Sequence, residues 1–134
     1  MRIKIAALDK KARKFKKLVA AESLQLAKLL KRKGVIEVFL IDDRRMKNLN
    51  RQFRKKNRPT NVLSFQAPKN FPGAGLGEVY LDPIYISKHE EDWTLMLAHG
   101  VLHILGYDHE KRSDRIKMEL KEKELFNIIK WVYM

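Results

Sequence analysis

Apolar and polar residues alternate from Arg2 to Ala7, the period of a strand with one buried face. After Asp9 the period changes. Phe15, Leu18, Val19, Leu26, Leu29 and Leu30 recur at helical spacing up to about Lys33, with Asp9 placed to cap the start and Gly34 to stop the end. Val35 to Ile41 is almost wholly apolar and rich in branched side chains, which predicts a strand covered on both faces. Asp42 and Asp43 suit the N-terminal end of a short helix from Arg44 to about Arg54, and Pro59 closes the loop behind it. Asn61 to Gln66 and Gly77 to Asp82 read as a third and a fourth strand, divided by a stretch with two prolines and two glycines. Beyond Pro83 the helical period resumes. Trp93, Leu95, Met96, Leu97, Val101, Leu102, Ile104 and Leu105 leave almost no polar face, as in a helix at the centre of a fold. A last amphipathic helix is predicted from about Asp114 to Trp131. The order predicts an α+β fold: a four-stranded mixed sheet packed with helices around a central, histidine-bearing helix.

Length and composition narrow this picture. A chain of 134 residues, 45% hydrophobic and 34% charged, forms a single domain over residues 1–134 and can build a core without staples. Cysteine is absent, which excludes disulfides, thiol nucleophiles, iron–sulfur clusters and thiolate zinc fingers. No apolar stretch approaches the about 20 residues of a membrane span. The residues from Met1 to Leu8 lack the apolar centre of a secretory signal. A soluble, cytoplasmic protein with no membrane partner is expected.

The charge is lopsided. Net charge is +13, and residues 1–88 hold 22 basic against 7 acidic side chains, while residues 89–134 hold 7 against 9. One basic run lies at Lys10, Lys11, Arg13, Lys14, Lys16 and Lys17. The other is Arg44, Arg45, Lys47, Arg51, Arg54, Lys55, Lys56 and Arg58, with no acidic residue between its ends. Such a field attracts polyanions, so nucleic acid is the expected partner, ahead of an anionic membrane surface, and the second run is its expected binding track. The glycine-rich segment from Pro72 to Gly77 lacks the strand–loop–helix setting and the Gly-Lys-Ser/Thr ending of a phosphate cradle, and is read as a hairpin loop.

Three of the four histidines fall within eleven residues: His99, His103 and His109. The first two are four apart, on one face of a helix. Gly106 supplies a left-handed residue that ends the helix, and Tyr107 and Asp108 return the chain so that His109 reaches the same point. Three imidazoles suit zinc or another borderline divalent metal with one coordination position open, the form that metal takes in catalysis. Asp108 could close the site or hydrogen-bond behind it. His89 lies outside this spacing and reads as a surface residue. The offsets also match those of metzincin peptidases, but Gly100 stands where those enzymes carry their catalytic Glu.

The block His99-Gly100-Val101-Leu102-His103-Ile104-Leu105-Gly106-Tyr107-Asp108-His109 resembles the YbeY family of bacterial endoribonucleases, also described as rRNA maturation factors. Arg54 through Phe65, including Pro59-Thr60-Asn61-Val62-Leu63-Ser64-Phe65, resembles a second family block, and Leu76-Gly77-Glu78-Val79 a third. Met118 and Glu122 fall where the family's last helix would place them. The resemblance implies one zinc ion per chain on His99, His103 and His109, and catalytic roles for Arg54 and His99. It also implies single-strand-preferring RNA cleavage in small-subunit (16S) rRNA maturation and ribosome quality control, with small-subunit ribosomal proteins and an assembly GTPase as partners. Asn61 departs from the family's usual Asp, and Glu78 from its frequent Asp. The segment between the fourth strand and the histidine helix is also short. The alternative readings are a non-catalytic assembly factor with structural zinc and, disfavoured by Gly100, a metzincin-like metallopeptidase.

Overall fold

Four segments with strand periodicity pair into one sheet: β1 (Arg2–Ala7), β2 (Val35–Leu40), β3 (Val62–Gln66) and β4 (Gly75–Leu81), in the order β1-β2-β4-β3. β1, β2 and β4 run parallel, and β3 lies antiparallel on the outer side of β4. The sheet is therefore mixed; the Pro- and Gly-rich segment joins β3 to β4, but Gly75, Leu76 and Gly77 of the predicted loop already belong to β4. The computed structural model describes residues 1–68, 70, 72–107 and 112–133, with side chains through residue 128. Five helices accompany the sheet: α1 (Lys16–Leu30), α2 (Asp43–Arg54), α3 (Pro83–Lys88), α4 (Trp93–Ile104) and α5 (Arg112–Tyr133). Among the described residues no helix is long and apolar enough to cross a membrane.

Strand alternation sorts the apolar residues into two layers. Ile36, Val38 and Leu40 of β2 and Val79 and Leu81 of β4 point to one face, where they meet Val19 and Leu26 of α1, Leu97, Val101 and Leu102 of α4, and Met118 and Leu125 of α5. Each fully buried aliphatic chain here contributes roughly 1.5–3 kcal/mol. The opposite face carries a smaller cluster, in which Met46 and Leu49 of α2 cover Phe39, Leu63, Phe65 and Tyr80. A buried carboxylate interrupts the main layer: Glu22 of α1 accepts a hydrogen bond from the Thr94 hydroxyl at the start of α4.

Three local expectations are corrected. β2 is covered on its second face only in part, because α2 lies over Phe39 but leaves Glu37 in solvent. The first helix does not run from Asp9 to Gly34. Its first turns, Lys10–Phe15, are a tighter 3-10 helix, and its end comes at Leu30, where Lys31 turns left-handed with φ 44°. Asp9 makes no capping bond there; its Oδ2 instead accepts the Asp42 backbone N–H at 3.1 Å. Asp42 in turn caps α2 by accepting from the Arg45 backbone N–H at 3.0 Å, as the sequence suggested.

Candidate functional site

α4 is fixed at both ends and along its length. Asp92 caps its start by accepting the backbone N–H groups of Thr94 and Leu95 at 2.9 and 3.3 Å. Its end is a left-handed turn on Gly106, φ 99°, with the Gly106 N–H donating to His103 O and the Tyr107 N–H to Leu102 O. These two bonds satisfy carbonyls that a helix end leaves unpaired. From the neighbouring edge strand, the Ser64 hydroxyl donates to Gly100 O at 3.1 Å, and the Gln66 amide donates to His103 O and Ile104 O at 3.0 and 3.1 Å. Gly100 faces the sheet at close range. A Cβ there would lie 2.8 Å from Val79 Cγ1 and 3.0 Å from Val62 Cγ2. The position therefore has no room for a glutamate, and the peptidase alternative loses its general base for a steric reason as well as a chemical one.

Beside this contact α4 carries His99 and His103, both partly exposed, with ring centroids 4.7 Å apart and planes at 77°. His99 Nδ1 lies 2.6 Å from Glu122 Oε1 on α5. The two histidines, Arg54, Val62, Leu63, Ser64, Gln66, Gly106 and Tyr107 line one cleft of about 830 Å³. His109 and Asp108 lie outside the described residues, and among the described residues no group of three metal-ligating side chains occurs. The donor set nonetheless suits a divalent metal. Two imidazoles converge on one face, and one is backed by a carboxylate, as metal-bound histidines generally are.

Arg54 thus meets the histidines from the last turn of α2, while the other predicted RNA-contacting residues spread along that helix and beyond it. Arg44, Arg45, Lys47, Arg51, Lys55, Lys56 and Arg58 are all exposed. Arg44 borders a separate depression with Lys11, Asp42, Asp43, Ile84 and Lys88. Arg45 is committed elsewhere: its Nε and Nη2 donate to both oxygens of Asp9 at 3.0 to 3.3 Å. Partial burial pushes the Asp9 carboxyl up, but the Arg45 guanidinium and the Asp42 amide outweigh it and hold the group below the ordinary range. Arg51 donates to Asn48 Oδ1 at 3.4 Å. His89 is exposed and stacked on Tyr85, away from the cleft, as the spacing suggested.

Asn61 is not among the residues lining the cleft. Its amide oxygen accepts the Val62 N–H at 2.7 Å, and its amide nitrogen donates to Glu91 Oε1 at 3.3 Å and to Met96 Sδ at 3.1 Å. An aspartate here would set two carboxylates against each other, so the departure at Asn61 answers to Glu91. Glu78 likewise points to the open sheet face, where it accepts the Tyr80 hydroxyl at 2.8 Å. Together with burial, that bond raises the Tyr80 phenol to about 12.

Sequence reasoning attached no role to Glu122 and did not find the carboxyl pair of Asp43 and Asp82. Asp82 is fully buried and caps α3 by accepting the Tyr85 N–H with Oδ1 at 3.0 Å. Burial, followed by the neighbouring Asp43 carboxyl, raises Asp82 to about 8. Two carboxyl groups this close favour one proton between them, and the raised Asp82 is the one that keeps it. Asp43, with the Asp82 carboxyl beside it and Lys88 Nζ at 3.3 Å, stays below the ordinary range. No spacing rule marks two aspartates thirty-nine positions apart as neighbours.

Comparison with known proteins identifies the family. An "Endoribonuclease YbeY" of Anaeromyxobacter dehalogenans is 37% identical over 124 residues, covering 85% of this chain and 64% of the relative's own length. A protein of the same name from Ehrlichia canis is 34% identical over 126 residues, covering 88% of this chain and 82% of the relative. The solution structure of TM1509 from Thermotoga maritima superposes with a TM-score of 0.64 at 25% identity, over 98% of this chain and 91% of that one. A family model described as Endoribonuclease YbeY matches residues 2–130, and the chain belongs to that family.

Proposed function

We propose that this chain is a metal-dependent endoribonuclease that cleaves single-stranded RNA, with small-subunit rRNA as its cytoplasmic substrate and small-subunit ribosomal proteins and an assembly GTPase as partners. The observation that carries the reading is the meeting of Arg54 with His99 and His103 in one cleft. The family name, which the relatives carry, supports the RNA substrate. His99, His103 and His109 would hold one zinc or other divalent ion, which when bound supplies a Lewis acid for a phosphodiester. Arg54 offers a planar fork of N–H donors for a non-bridging phosphoryl oxygen, where negative charge grows as the bond to phosphorus forms. The exposed cations behind it, from Arg51 to Arg58, hold the flanking phosphates.

The test is cleavage of single-stranded RNA by metal-replete protein beside Arg54→Ala and His99→Ala, with contaminating nuclease excluded. Arg54→Ala is expected to fold, bind metal and lose about a hundred- to a thousandfold in rate, the scale of one lost charge-stabilising donor. His99→Ala is expected to lose both metal and activity. Equal residual cleavage in all three preparations would overturn the nuclease reading. RNA binding without turnover in the wild type would favour the assembly factor instead.

A further inference from the structure

Glu122 occupies an inward position of α5 between two apolar ones, Met118 and Leu125, and is only 9% exposed. A leucine there would serve the helix packing without the cost of desolvating a carboxylate. What distinguishes the position is its partner on α4, His99 Nδ1, at the short distance of a charge-assisted hydrogen bond. A carboxylate accepts and never donates, so the contact requires a proton on Nδ1. In the neutral ring the lone pair then resides on Nε2. The same bond sets the plane of the ring, which would otherwise rotate about two side-chain torsions.

We propose that Glu122 is the positioning residue of the histidine centre. It selects the His99 tautomer whose ligating atom is Nε2, holds the ring at its angle to His103, and places a negative charge behind the ligand that strengthens its hold on a cation. The proposal rests on the metal reading given above. It also ties metal loading to the docking of α5 against α4, since the carboxylate that bonds His99 belongs to α5.

A purely structural ion pair would make a different prediction: replacing Glu122 would lower stability and leave metal affinity unchanged. The experiment is Zn²⁺ competition against a chromophoric chelator on full-length apoprotein, for the wild type, Glu122→Gln, Glu122→Ala and His99→Ala. Thermal midpoints of the apo forms and Co²⁺ absorption spectra accompany it. Glu122→Ala is expected to bind Zn²⁺ about 10–100-fold more weakly, the usual cost of losing the group behind a ligating histidine. Glu122→Gln keeps an acceptor for the Nδ1 proton but not the charge. It is expected to retain the wild-type Co²⁺ band and to lose about tenfold, at the weak end of that range. Should Glu122→Ala fail to fold, the amide variant decides. Wild-type Zn²⁺ affinity in Glu122→Gln overturns the proposal. A wild type that binds Zn²⁺ no better than His99→Ala defeats the metal reading itself, a result distinct from the first.

Discussion

Asp82 is where one residue's chemistry leaves its mark on the stability of the chain. The folded protein keeps the Asp82 proton up to about pH 8, while the unfolded carboxyl releases it near 3.8. Between those values the folded state binds one more proton than the unfolded, so this group's stabilisation is complete at low pH and is lost as pH rises through about 8. Asp43, held low, works in the opposite sense and only toward acid. Asp82→Asn keeps the acceptor for the Tyr85 N–H and gives Asp43 an amide donor that never titrates. It is expected to flatten the decline between pH 5.5 and 8.5, and to exceed the wild type at the upper end by about 1–2 kcal/mol, the scale of one buried hydrogen bond. Urea midpoints across that range measure the difference, and parallel curves for the two proteins would refute the shared proton. None of this was legible beforehand, because pairing of Asp43 with Asp82 depends on how the ends of β2 and β4 are juxtaposed. The histidines are the opposite case. Their four-residue spacing on a single helix is local geometry, so His99 and His103 could be placed from sequence, and Asn61 could be set apart as unusual without its partner Glu91 being visible.

Elements were legible where their signals are local and misplaced where tertiary contacts decide. The central position of α4 followed from its lack of a polar face, and its end at Gly106 from a residue that takes φ 99° without a Cβ penalty. The ends of α1 and α2 carried no such marker, since Lys31 and Lys55 turn left-handed at φ 44° and 57° without being glycine. The start of α1 was misjudged for a similar reason. Asp9 is drawn away from capping by Arg45 and the Asp42 amide, both contributed by the region of α2. Gly100 shows why the close packing of an element matters to the site. A methyl group there meets Val79, Val62 and Ser64 at 2.8, 3.0 and 3.2 Å, and none of these is the end of a long, flexible chain. Gly100→Ala is expected to cost about 1–3 kcal/mol, as overpacking of a tight contact does. It should also shift α4 outward, taking His99 with it. A denaturant midpoint equal to that of the wild type would show that the sheet yields and that the contact does not position the helix.

At the scale of the molecule, the basic excess of the first 88 residues is not one uniform surface. α2 divides it. The N-terminal end of the helix mixes cations with carboxylates: Arg45 holds Asp9, and Lys88 holds Asp43. The C-terminal end, from Arg51 to Arg58, is exposed, free of acidic residues, and joins the cleft through Arg54. On the proposed function, a single strand crossing the cleft would meet its phosphate contacts at that end. Single-stranded RNA binding weakens with salt by about 0.7 in log–log slope for each phosphate neutralised. The combined variant Lys55→Ala, Lys56→Ala and Arg58→Ala is expected to reduce the slope by about 2 on that scale. Arg45→Ala, whose charge is already balanced by Asp9, should leave the slope close to the wild-type value while lowering stability. Metal-free protein, titrated with a short labelled RNA from low to physiological salt, separates binding from cleavage in this comparison. Equal slopes for the triple variant and the wild type would move the RNA track off α2, toward the other basic run at Lys10 to Lys17. In that case Arg54 would stand alone at the cleft, with no cationic path leading to it.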